Sequence, residues 1–399
     1  MENSIIQREK RACAQNYLPL PVVLTRGEGV YLWDAEGKRY LDMMSAYSAV
    51  SHGHRHPRLV KALTDQLDRL AVVSRAFHTD NLAPFLERAC ELAGMDRALP
   101  MNTGAEAVET AIKAARKWAY QVKGVAKDQA EIVVCTGNFH GRTTTIISFS
   151  SEGQYRDGFG PLTPGFKFIP FGDAHALSSA INEKTAAFLV EPIQGEGGIQ
   201  IPVDGYLSDC AKICADNNVL LLCDEIQTGL GRTGHLLASW HDDVQPDGLM
   251  LGKALGGGLL PVSLFLGRKD LMDVFSPGDH GSTFGGYPLA CAVGYEALNV
   301  LIEEGLIERS AENGKYLHNA LQQVATGAVK EVRGRGLFVG VEVEEGLSAR
   351  KLCEELLTEG VLSKETHETV VRFAPPLIIE RAQIDTAVEA FERVLRRVV

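Results

Sequence analysis

Residues 219–233, VLLLCDEIQTGLGRT, decide the fold. The first five are apolar without alternation, the pattern of a strand buried on both faces. Asp224 then falls at the strand's C-terminal end, where open α/β sheets present ligand-binding groups. A carboxylate there serves equally well as a cap for the following turn, and the segment alone leaves both readings open. Similar short runs recur at 131–136, 167–171, 186–190, 249–251 and 262–266, with helix-length segments such as 207–217 between them. This β-then-α rhythm predicts an α/β fold with a mostly parallel sheet covered on both faces.

Beyond Pro288, which opens a long helical stretch, the pattern changes. Strand-like runs fall at 332–343 around Gly334 and Gly336, a helix at 349–358, a short strand at 370–373 and an amphipathic segment at 382–398. These predict a smaller α+β domain. Residues 1 to about 45 read as irregular apart from a hairpin over 30–41 that turns at Glu36-Gly37. With 399 residues the chain exceeds what one core supports, so two domains are expected. The boundaries drawn are an N-terminal segment at 1–45, a large cofactor-binding domain at 46–290, and an interdomain helix with the small domain at 291–399.

Apolar residues make up 45% and charged residues 23%, ordinary for a soluble globular protein. The net charge of −11, with dispersed basic residues, argues against a nucleic-acid partner. Eight cysteines occur without a CxxC pair, several within apolar runs, as buried thiols of a reducing compartment would. The N-terminal MENSIIQREKR lacks the apolar core of a signal peptide, and no apolar run is long enough to span a bilayer. A soluble, cytoplasmic protein is the expectation.

Lys253 sharpens the reading of Asp224. It follows the apolar run 249–252 and precedes ALGGG, so a lysine stands at a strand end beside a flexible loop. A lone lysine is by default a surface residue. One that bonds covalently to an aldehyde needs partial desolvation to lower its pKa, and this position offers it. Pyridoxal phosphate requires such a lysine together with an acid against its pyridine nitrogen. Asp224 and Lys253, at the ends of consecutive strands, meet both needs.

The phosphate would need backbone donors. The segment NTGAE at 102–106 opens a helix in which Thr103 and Glu106 have capping-box spacing and Gly104 admits close approach. A merely capped helix would look the same. In GNFHGR at 137–142, Phe139 can cover a planar ring and Arg142 can grip a carboxylate through its fork. Glu196 and Arg372 are further candidate carboxylate partners or switches, each of which spacing alone would leave in an ordinary surface ion pair. His52, His54 and His56 alternate before Pro57 without a nearby Cys or acid, and read as a polar turn rather than a metal site.

Taken together, these motifs resemble the class III (ω-amino) aminotransferases of fold-type I pyridoxal-phosphate enzymes. The resemblance runs from Tyr17 to Arg372 through NTGAEAVETAIKAAR, GNFHGRT, EPIQGEGG, DEIQTGLGRTG, GKALGGG, HGSTFGG and RFAPPL, in the family's order. Within the class, NYLPLPVVL with Tyr17, SAYSAVSHGH with Tyr47 and SRAF at 74–77 are of the ornithine δ-aminotransferase type. His140 departs from the animal members of that branch, which carry Trp.

The resemblance implies Lys253 as the cofactor-bearing lysine and proton shuttle, with Asp224 on the pyridine nitrogen. It implies Gly104 and Ala105 on the phosphate, Phe139 on the ring, and Gln227 at the 3′-oxygen. Thr283 would reach the phosphate of a neighbouring subunit, which makes the protein a homodimer with shared sites. Tyr17 and Arg142 would hold the distal end of ornithine, with Tyr47 and Ser282 also on the substrate side. Glu196 would pair with Arg372 and release it for 2-oxoglutarate or glutamate. The implied reaction moves the δ-amine of ornithine to 2-oxoglutarate in ping-pong order. Acetylornithine or 4-aminobutyrate are alternative donors on the same chemistry. A non-catalytic phosphate-ligand binder using Gly104 and the glycines at 256–258 is the alternative of another class. It would be colourless and carry no borohydride-reducible lysine adduct.

Overall fold

The computed structural model describes residues 2–325 and 327–398. Its centre is a seven-stranded sheet in the order Arg97–Met101, Ser263–Gly267, Gly248–Leu251, Leu220–Asp224, Thr185–Val190, Glu131–Cys135, Phe166–Ile169. The five strands from Gly248–Leu251 to Phe166–Ile169 run parallel. Ser263–Gly267 is antiparallel to both neighbours, so the sheet is mostly rather than wholly parallel. The connection after Leu251 holds only the short 3₁₀ turn Lys253–Gly256. A parallel return needs a crossover of about a dozen residues or more, usually with a helix. Arg97–Met101, RALPM, escaped the sequence reading because Pro100 removes a ladder donor. At the edge of the sheet that loss is tolerated.

Alternation along each strand sends side chains into two cores. Val133, Phe188, Leu221 and Cys223 face one side, and Ile132, Val134, Leu189 and Leu222 the other. The helix Gly104–Trp118 covers the second face with Ala107, Val108, Ala111, Ile112, Ala115 and Trp118. Its start carries the expected capping box: Glu106 N donates to Thr103 Oγ1 at 3.3 Å, and Thr103 N donates to Glu106 Oε2 at 2.7 Å. Such a cap stabilises a helix start by about 0.5–2 kcal/mol.

The N-terminal segment is more ordered than expected. A helix spans Glu2–Ala12, and Leu24–Glu28, Tyr31–Asp34 and Arg39–Asp42 form a sheet. The helix was missed because ENSIIQREKRA is mostly polar, and Ile5 and Ile6 are only partly covered. The hairpin turn lies where expected, with Asp34 Oδ1 accepting from Glu36 N and Lys38 N at 2.9 Å. Val361–Leu362 adds a parallel strand to this sheet and ties the N-terminal segment to the C-terminal part.

A second four-stranded sheet, Val329–Arg335, Phe338–Val343, Val370–Phe373 and Lys364–Thr366, is antiparallel throughout. Gly336, at φ +54°, turns its first hairpin, and a Cβ there would meet Thr233 backbone at 2.4 Å. The three histidines go to separate partners: His52 to Ala297 O, His54 to Asp42 and His56 to Glu304. Among the described residues, no helix is long and apolar enough to cross a membrane.

Candidate active site

Asp224 ends its strand opposite Met250 of the adjacent one, and Lys253 follows three residues later. Both line an inner cavity of about 190 Å³ together with Gly104, Phe139, His140 and Gln227. Lys253 sits at φ +45°, a conformation a non-glycine residue keeps only when its surroundings enforce it. Burial lowers the basicity of its amine, opposed by Glu196 and reinforced by Arg372. A lysine so desolvated is more available as the neutral nucleophile and base than one in water.

Asp224 is locked on two sides. Its Oδ1 accepts from Ile226 N at 3.0 Å, and its Oδ2 lies 2.7 Å from His140 Nδ1. With a carboxylate as partner, that ring nitrogen is the donor. Burial would lower the pKa of His140, but the hydrogen bond and charge of Asp224, helped by Glu191, raise it above its ordinary value. His140 Nε2 and Gln227 Nε2 are buried without a protein partner. Glu191 also lines the cavity. Burial pushes its carboxyl up to about 7, against the pull of His140 and with Asp224 adding to the rise.

A second, outer cavity of about 760 Å³ is lined by Tyr17, Tyr47, Arg142, Tyr155 and Glu196. Arg142 Nη1 donates to Tyr17 Oη at 3.4 Å, and its guanidinium lies 5.0 Å from the Tyr155 ring centre and 5.3 Å from that of Phe139. Arg372 is 0% exposed and donates from Nη1 to Glu196 Oε1 at 2.8 Å. Its Nε and Nη2 are buried without partners, so the guanidinium keeps unused donors. Burial would raise the pKa of Glu196, but Arg372 chiefly, with Lys253 and Arg142, holds it down at about 2. Tyr47 covers Arg372 with its ring, 5.2 Å from centroid to guanidinium. It stands in a run of four left-handed residues, Ser45–Ser48. The fully buried Arg232 steadies that run by donating to Ser45 Oγ at 3.2 Å and Ser51 Oγ at 2.9 Å.

The aminotransferase class-III family model matches residues 12–395. The chain belongs to the class-III aminotransferases. It is 57% identical over 392 residues to ornithine aminotransferase 2 of Staphylococcus aureus, covering 98% of each chain. The ornithine aminotransferase of Toxoplasma gondii, solved with partial occupancy of pyridoxal phosphate, superposes with a TM-score of 0.98 at 45% identity. That match covers 100% of this chain and 95% of the other. An acetylornithine aminotransferase of Elizabethkingia anophelis superposes with a TM-score of 0.92 at 48% identity, covering 99% of each.

The enzyme therefore uses pyridoxal phosphate, and the inner cavity fits it. Unpaired side-chain nitrogens on Gln227 and His140 line it. At its other end, Gly104 and Ala105 occupy the first helical turn, whose amides have no intrahelical acceptor. A Cβ at Gly104 would press on Ile226 at 3.0 Å. Lys253, Asp224, Gly104, Ala105, Phe139 and Gln227 gather at this cavity, and Tyr17, Tyr47, Arg142 and Glu196 at the outer one, with Arg372 behind Tyr47. Ser282 and Thr283 reach neither cavity within their own chain. Thr283 is exposed, and Ser282 Oγ accepts from Asn102 Nδ2 at 2.8 Å. Sequence reasoning missed His140, Glu191 and Tyr155. HGR and EPIQ contained the first two, but which partner each would meet depends on strands about fifty and eighty residues away.

Proposed function

We propose that this enzyme transfers the δ-amino group of L-ornithine to 2-oxoglutarate, giving glutamate 5-semialdehyde and glutamate. One observation carries the reading: two arginines stand at different depths, and the inner one, Arg372, is masked by Glu196 while the outer one, Arg142, has an open face. An unmasked Arg372 would take an α-carboxylate beside Lys253 and so offer the α-amine for reaction. Masked, it leaves the α-carboxylate of ornithine to Arg142 and its α-amine to Tyr17, with the δ-amine at the inner cavity. The names of the Staphylococcus and Toxoplasma relatives agree with this donor.

When bound, pyridoxal phosphate supplies the electrophilic carbon and the electron sink. Gly104 and Ala105 would hold its phosphate through amides, Phe139 would cover its ring, and Gln227 would reach the 3′-oxygen. Lys253 Nζ removes the proton from Cδ of ornithine, and Asp224, braced by His140, presents its charge to the ring nitrogen. The first product leaves before 2-oxoglutarate enters, and Glu196 then swings aside to free Arg372 for the α-carboxylate. We also propose a homodimer in which Thr283 and Ser282 act across the interface. The exposed apolar side chains Leu67, Leu70, Phe77 and Phe284 support a surface that a second copy covers.

Breaking a buried ion pair costs about 3–5 kcal/mol, less where one partner is screened. With the Glu196 side chain 26% exposed, Glu196→Ala is expected to raise glutamate reactivity relative to ornithine by about tenfold or more. Single-turnover kinetics with each donor check it, and an unchanged ratio sinks the masking idea. Tyr17 is 60% exposed and hydrogen-bonds a charged group, a bond worth about 1.5–3 kcal/mol at most. Tyr17→Phe should therefore raise the ornithine KM by about tenfold and let some α-amine product appear. A donor panel with product analysis tests the substrate itself: faster transfer from acetylornithine than from ornithine would replace the proposed donor.

A further inference from the structure

Two loops of the site converge on one buried carboxylate that no role above employs. Glu191 directly follows the buried strand Thr185–Val190 and is 6% exposed. Its Oε1 accepts from Phe139 N at 2.8 Å, and its Oε2 accepts from Gly195 N at 3.3 Å. The first amide belongs to the loop that carries Phe139, His140 and Arg142. The second immediately precedes Glu196. Burying a carboxylate is unfavourable unless hydrogen bonds and charge compensate it. Both oxygens of Glu191 are committed to orienting backbone.

We infer that Glu191 is a positioning residue that joins the loop of Phe139 and Arg142 to the loop of Glu196, setting the outer carboxylate site and the mask on Arg372 as one unit. The part that concerns the mask rests on the proposed role of Glu196. Three ionisable groups act on Glu191: His140 and Asp224 on the ring side and Lys253 across the cavity. Burial, with Asp224 adding to it, pushes its carboxyl up to about 7. The ionised form is the better acceptor for two amides, so the clamp holds above that pH and loosens as pH falls through it.

The test uses holoenzyme of Glu191→Gln, Glu196→Ala and the parent. Hydrogen–deuterium exchange over 137–142 and 193–198 reads the clamp directly, because local opening sets the exchange rate. The glutamate-to-ornithine ratio, from single-turnover kinetics between pH 6 and 8.5, reads its consequence. Glu191→Gln is expected to speed exchange about tenfold in both segments. It should also raise the ratio about threefold at pH 8.5, less than Glu196→Ala does, and flatten the parent's dependence of the ratio through pH 7. Unchanged exchange in either segment overturns the clamp, as does a ratio that responds to Glu196→Ala but not to Glu191→Gln. If neither variant moves the ratio while both segments open, the clamp stands and the masking role of Glu196 falls. Should the Gln variant fail to fold, Glu191→Asp keeps the charge but reaches one carbon less. It must speed exchange in at least one segment, and no change in either overturns the inference.

Discussion

Replacing Lys253 with alanine is expected to abolish multiple turnover, a loss of about 10⁴-fold or more, while the fold and cofactor binding survive. Proton transfer by a positioned side chain contributes about 10²–10⁴-fold. Loss of the covalent attachment that a lysine nucleophile offers adds to this. Among the residues lining the inner cavity, Lys253 is the one amine. The carboxylates and His140 are already committed, Asp224 to His140 and Ile226 N, Glu191 to two amides. The fold should persist because the removed side chain reaches into a cavity rather than filling a core, and Glu196 keeps Arg372 when the lysine goes. The checks are steady-state turnover, borohydride fixation of cofactor and a thermal melt. Normal turnover would overturn the assignment. A melt lowered by many degrees would show that the loss came from unfolding.

The sheet was legible wherever a strand declared itself by composition. Runs such as VLLLC and IVV cannot be solvated, so burial on both faces follows from the residues alone. Direction was less legible. The antiparallel turn of Ser263–Gly267 depends on the length of its connection, and the edge strand with Pro100 contradicts local propensity. In the site, Lys253, Asp224 and the capped helix at Gly104 could be found because each chemistry demands a residue type at the end of an element. Residues that act through others left no such mark. His140 braces Asp224 across 84 positions and Glu191 bonds Phe139 across 52. Spacing says nothing about pairs brought together by neighbouring strands. The ion pair of Glu196 with Arg372, 176 positions apart, was reachable only through family resemblance.

Asp224→Asn is expected to lower kcat by about 10²–10³-fold with cofactor still bound, and its basis is electrostatic. A unit charge about 4 Å from another in an environment of effective dielectric constant near 20 contributes roughly 4 kcal/mol. Removing one preorganised stabiliser of developing charge commonly costs about 10²–10³-fold in rate. Asn keeps the shape and its one side-chain oxygen still accepts from Ile226 N, while its Nδ2–H2 faces His140 Nδ1, which can accept in the other tautomer, so the strand end should hold its geometry. What it loses is the negative charge that the ring nitrogen would face. His140 reports the change independently of turnover. Its pKa is raised chiefly by the bond and charge of Asp224, against burial that lowers it. In the Asn variant the burial effect dominates, so the imidazole should titrate at lower pH than in the parent. Two measurements on the same protein therefore check the prediction: kcat with ornithine, and the His140 titration by NMR. A normal kcat would mean that another acid serves the ring. An unmoved His140 pKa would mean that the 2.7 Å contact is not what sets its charge.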